Sequence, residues 1–97
     1  MHVITRKRLR EFWERHPQAE RPLRDWYTVV SHAAWRSTHE VRAVFGSADF
    51  VADNRVIFDL GGNKFRLVAI VAYRSQRVFV RFVGTHAEYD RIDATTV

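Results

Sequence analysis

Four residues near the C-terminal end of this chain could together cut a phosphodiester: Arg66, Arg81, His86 and Tyr89. Metal-free cleavage of RNA needs a base for the 2′-hydroxyl proton, cations for the charge that builds on the phosphate, and an acid for the departing 5′-oxygen. Two guanidiniums, an imidazole and a phenol are side chains of the right kinds. Arg66 and Arg81 are candidates for a phosphate clamp, since a guanidinium binds two phosphate oxygens at once. His86 and Tyr89 are candidates for proton transfer or base stacking, and histidine is the side chain that ordinarily titrates near neutrality. Asn63 and Lys64 are candidates for contact with the phosphate backbone, and Phe79 for a platform on which a base rests. Each has a plainer reading: His86 as a cap or partnered structural histidine, Tyr89 as a packing residue, Lys64 as a cross-strand partner of Asp59. Glu88 is a weaker alternative base.

These residues lie on a pattern of strands. Arg55 to Leu60, Lys64 to Tyr73 and Arg77 to Thr85 alternate with period two and read as three antiparallel strands. Gly61-Gly62 marks one turn and Ser75-Gln76 another. With two-residue turns, Asp59 faces Lys64, Ile57 faces Arg66, Ile70 faces Arg81 and Val68 faces Val83. One sheet face is then apolar, from Val56 to Phe82. The other carries Asp59, Lys64, Arg66, Phe79, Arg81, Val83 and Thr85, an open cationic surface or an ordinary solvent face. Strict alternation puts His86 on the apolar side unless the strand ends at Thr85 and the chain turns. Ala87 to Ile92 reads as a helical turn or two, and Asp93 to Val97 as a frayed end.

The upstream half reads as a helical cover for that sheet. Met1 to Ile4 suits an edge strand. Thr5 then caps a helix from Arg6 to about His16, whose apolar face is Leu9, Phe12 and Trp13. Its basic residues are either an RNA contact or an exposed helix face. A second helix spans about Gln18 to Ala34, with Pro22 tolerable only near its start. Ser37 and Glu40 fit a capping box for a short helix ending near Phe45.

The totals agree with one small globular domain over residues 1–97, at 46% hydrophobic content. Lys and Arg number 16 against 11 acids, a net charge of +5, which suits a polyanion or an acidic protein partner. There is no cysteine, which is compatible with a reducing cytoplasm and leaves no thiolate for zinc. The remaining histidines are scattered without a ligand pattern, so no metal site and no cofactor is expected. No apolar run approaches the roughly 20 residues that span a bilayer, and Met1 to Arg10 lacks the apolar stretch of a secretory leader.

The runs GGNKFRLVAIVAY and RVFVRFVGTHAEYDRI closely resemble the HigB-type toxins of bacterial toxin–antitoxin pairs, within the RelE-like group of mRNA endoribonucleases. The resemblance is strongest over Val56 to Ile92 and extends upstream through PLRDWYTVV and EVRAVFGSADFV. It implies an α+β fold, with N-terminal helices packed on one face of a small twisted, mainly antiparallel sheet and a short C-terminal helix. It also implies a cytoplasmic toxin that cleaves mRNA on the translating ribosome, leaving 2′,3′-cyclic phosphate and 5′-hydroxyl ends. The implied partner is a helix-turn-helix, HigA-type antitoxin in a hetero-oligomer with the toxin, with no membrane involved. The competing reading of the residues is a non-catalytic module that binds RNA or a protein.

Overall fold

Alternating apolar residues build a five-stranded sheet in the computed structural model, which describes residues Met1–Val97. The strands are β1 (His2–Ile4), β2 (Asp49–Val51), β3 (Arg55–Leu60), β4 (Phe65–Ala72) and β5 (Arg77–Thr85), in the spatial order β1-β5-β4-β3-β2. β1 runs parallel to β5 and every other pairing is antiparallel. The helices are α1 (Arg6–Arg15), α2 (Glu20–His32), α3 (Thr38–Val44) and α4 (His86–Tyr89), with one 3-10 turn at Pro17–Ala19. The 3-10 turn follows from Pro17, and it moves the start of α2 to Glu20, so that Pro22 sits in the first turn, where its missing N–H costs nothing.

The helices cover one face of the sheet. Leu9, Phe12 and Trp13 of α1, with Leu23, Trp26 and Val30 of α2, meet Val56, Phe58, Leu67, Ala69, Val71 and Val78 in one core. Arg6 lies over the Tyr27 ring and Arg24 over that of Trp13, so α1 and α2 run antiparallel. Trp26 and Phe45 both meet Phe58 edge-on, at 5.5 and 5.0 Å between ring centroids. Burying each such side chain contributes about 1.5–3 kcal/mol, and aromatic edge contacts add to that.

The strand register differs from the simple hairpin reading in two ways. Both turns have four residues, Gly61–Lys64 and Tyr73–Gln76, so Asp59 faces Arg66 rather than Lys64, and Ile70 faces Phe79 rather than Arg81. A shift of two leaves every side chain on its expected face. Gly61, Gly62 and Asn63 all take left-handed backbone angles in the first turn, and a Cβ on Gly61 would press on Phe65 and Pro22. The second difference is a bulge. Ala69 pairs with Val80 but Val68 with Phe82, leaving Arg81 unpaired. Beyond it the faces exchange: Phe82 and Gly84 join Arg66, while Val83 and Thr85 turn to the helix side.

The face away from the helices is not open throughout. Ile57 and Val68 are buried there. The C-terminal residues, expected to fray, instead form a turn held by Asp93, and Arg55 donates to the Val97 carbonyl from Nε and Nη2 at 3.2 and 2.8 Å. The last residues are thereby tied back to β3.

Candidate active site

Arg66 is the hub of the site. β4 presents it between Asp59 on β3 and Gly84 on β5. β5 ends at Thr85, which caps α4 through a complete capping box: the Thr85 hydroxyl accepts from the Glu88 N–H, and the Glu88 carboxylate accepts from the Thr85 N–H at 2.8 Å. That box reverses the chain. His86, two residues after Gly84, comes to the Arg66 side, because the bulge has already exchanged the faces of β5. By contrast Ser37 makes no side-chain cap, and Glu40 accepts from the Arg36 N–H, so the capping box expected there does not form.

Arg66 Nε donates to His86 Nε2 at 3.1 Å. The Nε2 lone pair of His86 is the one that faces Arg66. Asp59 Oδ1 lies 2.8 Å from the same Nε. One N–H cannot point at both, and Asp59 Oδ1 is buried without an aligned donor. The Asp59 contact is therefore a charge pair and the His86 contact the hydrogen bond. The guanidinium lies 4.7 Å from the Tyr89 ring centroid, and Phe82 flanks Tyr89 at 6.3 Å. Both sides of the ion pair are mostly buried, Arg66 at 21% and Asp59 at 16% side-chain exposure. Low local dielectric strengthens such a pair and any anion contact beside it. The two Nη groups of Arg66 have no protein acceptor, so its outer edge is free for an oxyanion.

Gly84 makes room for this packing. A Cβ there would overlap Phe82 Cζ and approach Glu88 Cβ to 3.2 Å. Gly84→Ala is expected to swing the half-exposed Phe82 ring off Tyr89. Stability should fall by about 1 kcal/mol, the low end for overpacking, while activity falls much further. Thermal melting beside an RNA cleavage assay checks both halves.

Glu88 is less suited to be a base than to hold the turn. The Thr85 backbone N–H lowers its pKa below the usual 4.5, partial desolvation opposes this, and the Thr85 hydroxyl, His16 and Arg15 add to the lowering. A lowered folded value means that this carboxylate stabilises the fold above its unfolded pKa, and the contribution is lost as pH falls from about 4.5 through the folded value. Melting at about pH 5 and about pH 3 should therefore show a smaller acid loss in Glu88→Gln, which keeps the cap acceptor but not the titration. An unchanged acid loss would contradict this role.

The structure brings together Arg66, His86 and Tyr89, and separates the other candidates from them. Arg81 is exposed at the bulge, on the stretch of β5 that β1 does not reach. Its carbonyl accepts from Arg8 Nη1 at 2.6 Å. There a cleft of about 370 Å³ is lined by Arg8, Glu11, Phe12, Arg15, Arg81, Phe82 and Val83. Asn63 and Lys64 lie in the exposed turn before β4, and Asn63 serves the turn through its left-handed backbone, φ 70°. Phe79 is on the Arg66 face but pairs with Ile70, about 13 Å along β4 at ~3.3 Å per residue. Asp59 as the partner of Arg66, Phe82 and Gly84 beside Tyr89, and the cations Arg8 and Arg15 are not marked out by their spacing in the sequence. Nor is His16, which stacks on Phe12 at 4.4 Å. Their roles depend on the bulge and on helix packing. No three His, Asp or Glu side chains gather as metal ligands.

Comparison with known proteins places the chain in a family. The HigB toxin family, described as the RelE-like toxic component of a toxin–antitoxin system, matches residues 19–92, and the chain belongs to it. Among individual relatives, an "mRNA interferase toxin HigB" of Escherichia coli (strain K12) is 36% identical over 92 residues, covering 93% of this chain and 88% of the relative. An "mRNA interferase HigB" of Shigella flexneri matches to the same extent. Another of that name, from Escherichia coli O6:H1, is 30% identical over 94 residues, covering 95% of this chain and 91% of its own. Membership in a toxin–antitoxin family implies an antitoxin as partner.

Proposed function

We propose that this chain is an endoribonuclease that cuts mRNA on the translating ribosome, without a metal ion, and that a helix-turn-helix antitoxin of the HigA type restrains it in the cytoplasm. The observation that carries the chemistry is the Arg66–His86 hydrogen bond at 3.1 Å, with the guanidinium stacked on Tyr89. The family match and the names of the relatives support RNA as the substrate.

The scissile phosphate sits against the free Nη edge of Arg66. As the Arg66 Nε–H shifts from His86 to Asp59 Oδ1, 2.8 Å away, His86 Nε2 loses its donor and its lone pair becomes available to the 2′-hydroxyl proton. The 2′-oxygen bonds to phosphorus, the bond to the 5′-oxygen breaks, and the Tyr89 hydroxyl gives that oxygen a proton. The products are a 2′,3′-cyclic phosphate and a 5′-hydroxyl. Arg66 is worth more in the transition state than in the ground state, because the non-bridging oxygens gain charge there. Asp59 holds the guanidinium in place, and Phe82 supports Tyr89. Arg81, with Arg8 and Arg15 along the free edge of β5, binds neighbouring phosphates. Lys64 and Asn63 lie where the strand enters, and Phe79 is the stacking surface at the far end.

Induction of the wild-type chain beside Arg81→Ala, with primer extension on an abundant mRNA, tests this reading. Growth arrest and new 5′ ends inside reading frames are expected for the wild type, and a large loss of both for Arg81→Ala. Intact mRNA and normal growth with a folded wild-type chain would overturn it.

A further inference from the structure

The helix layer carries a second cationic hollow, on the side of the molecule away from Arg66. Arg6, Lys7 and Arg10 of α1 and Arg24 of α2 surround it, with Trp13 as a wall, enclosing about 260 Å³. Two of its guanidiniums are held in position, Arg6 at 4.9 Å over the Tyr27 ring centroid and Arg24 at 4.9 Å over that of Trp13. Glu20 pairs with Arg24 at 2.8 Å. Arg6, Lys7 and Arg10 have no carboxylate partner; the other ion pairs of the chain are Arg55–Asp53 and Arg66–Asp59.

This arrangement works against α1 itself. The first turn of the helix holds Arg6, Lys7 and Arg8 and no acid, although the helix dipole there favours negative charge. Arg6 and Arg10 are also like charges one turn apart, which repel. A local conflict of this kind is expected at a functional site, where a ligand supplies what the chain lacks.

The ligand chemistry follows from the lining. Trp13 is its one apolar side chain, and the large exposed hydrophobics of the whole chain are Val29 and Val44, neither of which lines it. The centre of a protein interface is depleted in charge and enriched in apolar and aromatic residues, which this hollow is not. The Trp13 and Tyr27 rings already have guanidiniums over them, so a base finds no free ring here. What faces the hollow are N–H donors and positive charge, the groups that bind phosphate oxygens.

We propose that this hollow is a second, non-catalytic site for the phosphate backbone of RNA. It rests on the reading of the chain as RNA-directed. The hollow and the Arg66 site lie on different sides of a body 33 × 25 × 22 Å across, so a folded RNA occupies both where a short strand in the cleavage site does not. The helix face then acts as a docking surface and the sheet face as the cutting surface.

The test is binding of an uncleavable 2′-O-methyl RNA hairpin across a salt series. The proteins are the wild type, Arg6→Gln/Arg10→Gln, and Lys7→Gln/Arg10→Gln, which leaves the Arg6–Tyr27 contact intact. Both pairs of changes remove repulsion, and Lys7→Gln/Arg10→Gln, which also keeps the Arg6–Tyr27 contact, should melt no lower than the wild type. Affinity is expected to fall at least about tenfold in both, with the slope of log K against log salt shallower by about 1 to 2, near 0.9 for each phosphate that the protein no longer neutralises. Unchanged affinity and slope in both variants would overturn the proposal. So would unchanged RNA binding with abolished antitoxin binding, which would make the hollow a protein interface. The altered slope in a chain that cuts no RNA would keep this site and remove the nuclease reading instead.

Discussion

Arg66→Ala is expected to lower RNA cleavage by about 100- to 1,000-fold, the scale seen when one preorganised donor to a developing oxyanion is removed. The loss combines two effects that can be separated. The first is chemical: the free Nη edge belongs to the guanidinium that meets both His86 and Tyr89. The second is structural: Asp59, with 16% side-chain exposure, is left without its counter-charge. Breaking a fully buried pair costs about 3–5 kcal/mol, and partial exposure reduces this to about 2 kcal/mol here. Adding Asp59→Asn to Arg66→Ala removes the stranded charge, so the double variant should recover most of the stability and none of the activity. Thermal melts and cleavage rates on the single and double variants check this. Recovery of cleavage along with stability would mean that Arg66 only holds the fold.

His86→Gln is expected to lower cleavage by about 100- to 10,000-fold, the range for losing a positioned proton-transfer group. Glutamine is the informative replacement. Its side-chain oxygen can still accept from Arg66 Nε, so the guanidinium keeps its place over Tyr89, but the amide cannot take up a proton in the catalytic range. The fold should be unaffected, because His86 is half-buried in a capped turn whose cap is made by Thr85 and Glu88. His86→Ala leaves a gap at the same place, and added imidazole should restore part of its activity. A His86→Gln protein as active as the wild type would remove proton transfer from this residue and leave it a structural partner of Arg66.

The strands, the helices and the two faces of the sheet were legible because hydrophobic periodicity is the strongest signal a sequence carries. The turn lengths were not. Gly61-Gly62 announces a turn but not that Asn63 joins it with a left-handed backbone. The difference in pairing is harmless to the two faces, because a register slip of two preserves them. The bulge at Arg81 did matter. It has no signature in RVFVRFVGT, yet it moves Phe82 from the core side to the side of Tyr89 and leaves Arg81 without a partner on β4. His86 was ambiguous for a related reason: its side depends on the bulge as well as on where β5 stops. The stop signal was present as Thr85 and Glu88, the same spacing as Ser37 and Glu40, and only the first pair closes into a box. Asp59 was visible as a charge, but its partner depends on the turn length. Arg8 and Arg15 reach the cleft only through the packing of α1 beside the unpaired edge of β5.

The most direct test of the Arg66–His86–Tyr89 centre is the chemistry of the ends it leaves. Purified chain, incubated with ribosomes translating a defined mRNA, should yield 2′,3′-cyclic phosphate and 5′-hydroxyl ends. The His86→Gln protein, shown folded by its melting, should yield almost none. Ends bearing a 5′-phosphate and a 3′-hydroxyl, or equal cleavage by His86→Gln, would contradict the account.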